Sequence, residues 1–252
     1  MIPYKDENPT ELTPVVTVGL IIVNTLVWLL VQGGGLNTPE LARSVCQLGL
    51  VPGEVLHVLP PGTSVPLGPG MHCVVTAQAN WWTVITSMFL HAGWVHLIGN
   101  MWFLWVFGNN IEDSMGHGRF VVFYLLCGIA AATAQIISDP HSAVPMVGAS
   151  GAISGVMGAY VLLFPRVRVH TLVWLGFFVT TVALPAYVIL GYWFFYQLLL
   201  GTVTALTRME GGTAFWAHVG GFLAGLALIR PFANAEFLER RRGRVVILPR
   251  GA

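Results

Sequence analysis

The sequence has few charged residues for its length. Only 9% of its 252 residues are Asp, Glu, Lys or Arg, whereas a soluble domain typically carries about 25%. Hydrophobic residues make up 55% of the chain. Because so few polar side chains cannot cover a water-facing surface of this size, a soluble globular protein is excluded, and a polytopic membrane protein is indicated.

Cysteine and net charge are also low. Three cysteines are too few for a disulfide-stabilised scaffold, and a net charge of +1 gives no indication of nucleic-acid binding. Cys46 and Cys73 fall in the segment between the first two apolar runs, where we expect either a disulfide that closes the segment or two free thiols. Cys127 lies within an apolar run and is expected to be a buried filler.

Six apolar segments approach the roughly 20 residues that cross a membrane as a helix. They cover residues 14–33, 94–112, 120–138, 149–164, 184–206 and 213–231. The first is interpreted as a span rather than a signal peptide, because no small-residue cleavage pattern follows it. The segment 34–90 is rich in Pro and Gly and contains Trp81 and Trp82, so it is expected to be a long loop in the membrane interface. The predicted fold class is therefore an all-α polytopic membrane protein, a bundle of six transmembrane helices.

The distribution of positive charge decides how residues 169–183 are interpreted. This apolar stretch runs into the fifth span, and together they are too long for one helix and too short for two. Lys and Arg accumulate on the cytoplasmic side. Six spans with a cytoplasmic N-terminus put most basic residues inside: Lys5, Arg119, Arg166, Arg168, Arg230, Arg240, Arg241, Arg242, Arg244 and Arg250. A seventh span would move the Arg-rich tail outside, so 169–183 is predicted to be a cytoplasmic interfacial stretch. The tail is either a membrane-surface patch or a charged segment that fixes topology.

Small residues open the fourth predicted span, in "VGASGAISGVMGAY" at 147–160. Gly151 and Gly155 are four residues apart, as are Gly221 and Gly225 in the sixth span, which runs in the same direction. Such pairs let helix backbones approach closely in lipid. On their own they indicate only tight packing of the two helices.

Polar side chains near these glycines indicate a catalytic site. An imidazole facing lipid is costly, so His218, near the outer end of the sixth span, is expected to face the bundle or a water-filled cavity. Close packing at matched depth would bring Ser150 within hydrogen-bond reach of His218, as a nucleophile beside its base. His96 and Asn100 share one helix face and can both donate hydrogen bonds, which suits an oxyanion hole.

A metal centre is the rival interpretation, since histidine pairs bind zinc. The sequence has no HExxH motif and no acidic residue between Asp139 and Glu210, so neither a metal nor another cofactor is expected. The missing acid also means that a serine hydrolase would use a Ser-His dyad rather than a triad. Its imidazole would be held by packing or by neutral hydrogen bonds.

Three motifs together resemble a known family. "HAGWVHLIGN" at 91–100, "GASG" at 148–151 and "AHVGGFLAG" at 217–225 occur in the order found in rhomboid intramembrane serine proteases. The resemblance covers about residues 14–231, which leaves 1–13 as a cytoplasmic N-terminal segment and 232–252 as a basic cytoplasmic tail. It implies a six-span rhomboid bundle that hydrolyses peptide bonds in or near transmembrane segments of other membrane proteins.

The resemblance also implies residue roles. Ser150 would be the nucleophile and His218 the base, while His96, Asn100 and the Ser150 backbone N–H would stabilise the oxyanion. The supporting residues are expected to be His91, Gly148, Gly151, Ser154 and Gly221, and the resemblance gives Glu112 a structural role. His91 is open to a structural or a catalytic role.

Two positions depart from the family pattern. Thr83 follows Trp82, where many members have Arg. Ser154 occupies a position where many members have an aromatic residue stacked on the histidine, and we expect it to hydrogen-bond His218 instead.

Two other classes of function compete with a protease. One is a rhomboid-fold protein that binds membrane helices without cutting them. The other is a small-solute transporter, which the lack of an internal repeat disfavours. For the protease, the expected partners are transmembrane protein substrates and membrane lipid, without nucleic acid. The expected location is a bacterial plasma membrane, with both termini cytoplasmic.

Overall fold

The structure, a computed structural model, describes residues 2–36, 38–68, 71–76, 78, 80–176, 178–207 and 213–245. The helices are α1 (Val15–Leu30), α2 (Thr38–Leu48), α3 (Pro52–Val55), α4 (Thr83–Thr86), α5 (Trp94–Met115), α6 (His117–Ser138), α7 (Ser150–Leu163), α8 (Ala186–Thr207), α9 (Phe215–Phe232) and α10 (Ala235–Val245). The strands are β1 (Ile2–Asp6), β2 (Ser64–Gly68), β3 (Met71–Val74), β4 (Arg168–Leu175) and β5 (Phe178–Pro185).

Six helices, α1 and α5 to α9, lie where the sequence predicts spans. Among the residues that the structure describes, α6, α8 and α9 are long and apolar enough to cross a membrane, while α1 and α7 are apolar but shorter. Helix α7 is largely enclosed by its neighbours, and every residue from 151 to 160 is buried.

The prediction of an all-α fold is wrong in two places. Residues 169–183 form most of a β-hairpin, β4–β5, and β1 adds a third antiparallel strand with Ile2 opposite Leu172. The segment is rich in Val and Thr, and Gly176 adopts a φ of +64° between the two strands, both of which favour a hairpin. The stretch therefore forms no membrane helix, as predicted, while its cytoplasmic location stays a prediction.

The described residues of the long loop 34–90 contain helices and strands. They include α2, α3 and a second hairpin, β2–β3, and a disulfide joins Cys46 of α2 to Cys73 of β3. Of the two alternatives for Cys46 and Cys73, the structure has the disulfide, and Cys127 is a buried free thiol as predicted. Within the loop, the buried Glu54 carboxylate accepts hydrogen bonds from the backbone and hydroxyl of Thr76.

Glu112, near the C-terminal end of α5, caps the start of α1. Its carboxylate accepts hydrogen bonds from the backbone N–H groups of Val16 (2.9 Å) and Thr17 (2.8 Å) and from the Thr17 hydroxyl (2.7 Å). The first N–H groups of a helix have no partner within the helix, and a carboxylate there satisfies them. The structural role expected of Glu112 is confirmed.

Helices α7 and α9 pack backbone to backbone along their glycines. A Cβ atom on Gly221 would overlap the carbonyl oxygen of Gly151, and one on Gly225 would overlap that of Gly155. The two helices therefore run parallel with the predicted glycine pairs facing each other. This seam sets the depth at which the side chains of α7 and α9 meet.

Candidate active site

Ser150 and His218 meet at the start of the seam. Ser150 is the first residue of α7, and His218 is the fourth residue of α9. Because the helices are parallel and in register, the Ser150 Oγ lies 2.8 Å from the His218 Nε2. The two residues that the sequence singles out as nucleophile and base are within hydrogen-bond distance.

Helix α8 supplies two further contacts to His218. The Gln197 Oε1 lies 2.8 Å from the His218 Nδ1, and the Trp193 ring packs on the imidazole with centroids 5.7 Å apart. Neither residue was predicted from the sequence to belong to the site. Gln197 could have been noticed because its amide lies within an apolar span. Burying an amide in a membrane helix costs free energy unless it has a partner inside the bundle.

The expected hydrogen bond from Ser154 to His218 is wrong. The buried Ser154 hydroxyl donates to the backbone carbonyl of Ser150 at 2.6 Å. A serine inside a helix has the carbonyl four residues earlier within reach without needing another helix. The aromatic ring against His218 comes instead from Trp193 on α8.

His96 approaches the backbone just before Ser150. A Cβ on Gly148 would lie 2.8 Å from the His96 Nε2, and Gly148 has a φ of +131°, so glycine is required there for two reasons. The backbone N–H of Ala92 donates to the His96 Nδ1 at 3.4 Å. This leaves the ring proton on Nε2, the nitrogen that faces the site.

Asn100 has a donor without a partner. Its Nδ2 is buried, and no hydrogen-bond acceptor for it is found in the described part of the chain. Asn100 and His96 line the same cavity as Ser150. A buried unpaired donor costs free energy, which is consistent with a position reserved for a ligand oxygen.

His91 lies behind His96 and does not line this cavity. The two rings pack edge to face with centroids 5.2 Å apart. Burial, and next the neighbouring His96, lower the pKa of His91 to about 3, so its ring is neutral at physiological pH. The buried Gln32, which was not predicted from the sequence, accepts a hydrogen bond from the His91 N–H and donates one to the His91 carbonyl, both at 2.8 Å. These contacts give His91 a supporting position.

The cavity has a volume of about 420 Å³. Its lining includes the polar residues Ser87, His96, Asn100, Ser150, Gln197, Thr213 and His218. Other parts of its wall are apolar: Met88, Phe103, Ala131, Ile153 and Met157. In the described ranges no three His, Cys, Asp or Glu side chains converge as metal ligands. The arrangement suits a reaction carried by a serine, a histidine and hydrogen-bond donors.

The segment before Ser150 is held by the loop 34–90. Met146 exchanges two backbone hydrogen bonds with Leu50 (2.7 and 3.0 Å), and the Gly148 N–H donates to the Ser87 carbonyl at 2.8 Å. These bonds fix one edge of the segment that leads into the nucleophile. The loop is thereby part of the site's framework.

Comparison with known proteins gives consistent matches. Residues 78–234 match the family model described as Rhomboid domain. "Rhomboid protease GluP" of Bacillus subtilis (strain 168) is 34% identical over 161 residues, which are 63% of this chain and 28% of that protein. "Putative rhomboid protease YdcA" of the same organism is 37% identical over 87 residues, 34% of this chain and 43% of that protein. "RHOMBOID-like protein 5" of Arabidopsis thaliana is 27% identical over 165 residues, 62% of this chain and 48% of that protein. The chain spans less than half the length of each of these relatives.

Proposed function

The chain belongs to the rhomboid family of integral membrane proteins, and from the geometry of its site we propose that it is an intramembrane serine endopeptidase. The observation that carries the proposal is the 2.8 Å contact between the Ser150 Oγ and the His218 Nε2 in a cavity that also contains the unpaired Asn100 donor. The names of the similar Bacillus proteins support it.

The proposed reaction begins with proton transfer. His218 takes the proton of the Ser150 hydroxyl as Oγ attacks the carbonyl carbon of the scissile peptide bond. The negative charge on the carbonyl oxygen is held by His96, Asn100 and the Ser150 backbone N–H. His218 then gives its proton to the leaving amine, and it later takes one from the water that hydrolyses the acyl-enzyme.

Six spans, α1 and α5 to α9, form the proposed membrane domain, with both termini in the cytoplasm. Helix α7 has 14 residues and is therefore about 21 Å long, shorter than the roughly 30 Å hydrocarbon core. If its far end lies at the cytoplasmic surface, Ser150 lies below the opposite surface. The cavity then supplies the water that hydrolysis needs.

The proposed substrates are transmembrane segments of other proteins. In a helix the carbonyl groups are engaged in hydrogen bonds, so the substrate must unwind locally before Ser150 can reach a peptide bond. The polar groups around the cavity offer partners to the released backbone groups. The proposed location is a bacterial plasma membrane, where lipid contacts the outer helix faces.

Purified protein tests the proposal in two ways. The wild type should cleave a single-span model substrate with small residues at the cavity end of its span, and Ser150→Ala and His218→Ala should each abolish cleavage. A serine-reactive phosphonate should label the wild type without any knowledge of the natural substrate, and should not label Ser150→Ala. Ser154→Ala is the matched control, expected to stay active because the Ser154 hydroxyl donates to the Ser150 carbonyl of the same helix. A folded wild type that neither cuts nor labels would instead favour a non-proteolytic binder of membrane helices.

A further inference from the structure

We propose that Gln197 is a positioning residue for His218, so that this protein uses a Ser-His-Gln relay rather than a dyad. The inference rests on the proposed protease function and names a component that the family resemblance did not supply. Three features of the structure support it: the contacts of the imidazole, the burial of the amide and the neighbouring Trp193.

The two ring nitrogens of His218 have different partners. Nε2 lies 2.8 Å from the Ser150 Oγ, and Nδ1 lies 2.8 Å from the Gln197 Oε1. An amide oxygen only accepts hydrogen bonds, so the ring proton belongs on Nδ1. Nε2 is then unprotonated and able to accept the serine proton. This is the tautomer that a general base requires, and an Asp selects it in the well-known triads.

The surroundings of Gln197 favour a dedicated role. Its side chain is 7% exposed, whereas Leu198 and Leu199, the next residues of α8, are exposed on the bundle surface. A buried amide in an apolar helix is costly unless it is hydrogen-bonded. One turn earlier on α8, Trp193 packs on the ring of His218. Helix α8 thus restrains both the face of the imidazole and its Nδ1.

A carboxamide orients the ring without adding charge. A carboxylate at this place would stabilise the protonated imidazole before reaction and so remove the base at mildly acidic pH. Gln197 stabilises the imidazolium of the transition state only through its dipole. His96 on α5 is a second titratable group that lines the cavity with His218, and it is a histidine rather than an acid. Orientation is therefore the contribution expected from Gln197.

Three variants test the inference: Gln197→Leu, Gln197→Glu and the control Tyr196→Phe. Tyr196 is the preceding residue on α8 and is 45% exposed. The measurements are kcat and KM on the model substrate, the pH–rate profile and thermal unfolding. Gln197→Leu should lower kcat by roughly 10-fold to 100-fold with little change in KM. This loss lies between the effect of removing one neutral hydrogen bond and the larger effect of leaving the catalytic imidazole in the wrong tautomer.

Rescue separates positioning from packing. A glutamate at this position can still accept the hydrogen bond from the His218 Nδ1–H, so Gln197→Glu should recover most of the lost kcat. Its negative charge should also move the acid limb of the pH–rate profile to higher pH. Tyr196→Phe should match the wild type.

Two results would overturn the inference while leaving the protease proposal intact. One is a wild-type kcat and pH profile in Gln197→Leu. The other is an equal loss of kcat in the Leu and Glu variants in proportion to lowered thermal stability, which would assign Gln197 a packing role. A wild type that neither cleaves nor labels would refute the protease function itself, and the relay with it.

Discussion

At the scale of single residues, the site contains both side chains that are hydrogen-bonded to each other and a donor that has no hydrogen-bond acceptor among the described residues. Ser150, His218 and Gln197 form a continuous hydrogen-bonded chain, whereas the Asn100 Nδ2 has no partner in the part of the chain that the structure describes. A paired group holds its neighbour in place, and an open donor is available to an incoming oxygen. The two kinds of group therefore predict different consequences of mutation.

Replacing Asn100 by Ala should slow turnover and leave the protein folded. Loss of one preorganised oxyanion donor typically lowers kcat by about 10²–10³, or roughly 2.7–4 kcal/mol. Labelling of Ser150 by a phosphonate should also fall, because that adduct presents an oxygen to the same donors. An interhelical hydrogen bond without a catalytic role is worth only about 0.6 kcal/mol on average in a membrane protein. Normal kcat with a lowered melting temperature would remove Asn100 from the oxyanion site.

The sequence was sufficient to predict the Ser150–His218 contact, but not the Gln197 contact. Ser150 and His218 each lie next to a glycine pair, and those pairs fix how two parallel helices align. No such marker aligns α8 with α9, so the amide of Gln197 could not be assigned a partner. Ser154 was misassigned because the carbonyl of its own helix is a nearer acceptor than any group across the bundle.

At the scale of helices and strands, the seam between α7 and α9 determines whether the site can form. A Cβ on Gly225 would meet the Gly155 backbone rather than a flexible side chain, so the helices would have to separate. Overpacking of this kind typically costs about 1–3 kcal/mol. The same backbone contact between α7 and α9 keeps Ser150 and His218 at the same level along the two helices, within hydrogen-bond distance.

Gly225→Ala should therefore lower both thermal stability and kcat. Gly191→Ala is the matched control, because Gly191 lies in α8 with nothing within 4 Å of an added Cβ. Alanine is the better helix former, so the control should keep its activity and its melting temperature. Unchanged melting and turnover in Gly225→Ala would contradict the seam as the element that aligns the site.

The spans were easier to predict than the strands. Long apolar runs locate helices without any knowledge of their neighbours. In the sheet β1–β4–β5, strand β1 (Ile2–Asp6) pairs with β4 (Arg168–Leu175), which is more than 150 residues later in the chain. The local sequence around either strand does not indicate its partner. The Val- and Thr-rich run around Gly176 carried a hairpin signal, but its apolar character equally suited a membrane interface.

At the scale of the whole molecule, the β-sheet lies at one end of the helices and the proposed active site lies at the other. The sheet and the Glu112 cap lie at the C-terminal ends of α5 and α7, whereas the cavity and the loop 34–90 lie at their N-terminal ends. The loop holds the Met146–Gly148 segment, and the Cys46–Cys73 disulfide closes the loop. Loss of the disulfide is thus expected to act on the site from a distance.

Reduction should lower activity without removing any group of the site. A disulfide closing a loop of this length typically contributes about 2–4 kcal/mol, through the entropy of the open loop. Reductant should reduce turnover and thermal stability of the wild type, and should have no effect on a Cys46→Ser, Cys73→Ser double variant. Alkylation should find two additional thiols only after reduction. Two reactive loop thiols in the untreated protein would refute the bond.

The oxidation state of the same two cysteines can be used to determine the orientation of the chain in the membrane. Disulfides persist in oxidising compartments and are rare where cellular reductants keep thiols reduced. Cys46 and Cys73 belong to the loop that lies beside Ser150, so their oxidation state in intact cells reports which compartment that end of the bundle faces. In a bacterium, a chain inserted with this loop in the periplasm would have the disulfide, and a chain inserted the other way would keep both thiols. The compartment that oxidises the loop is then also the one from which water enters the cavity.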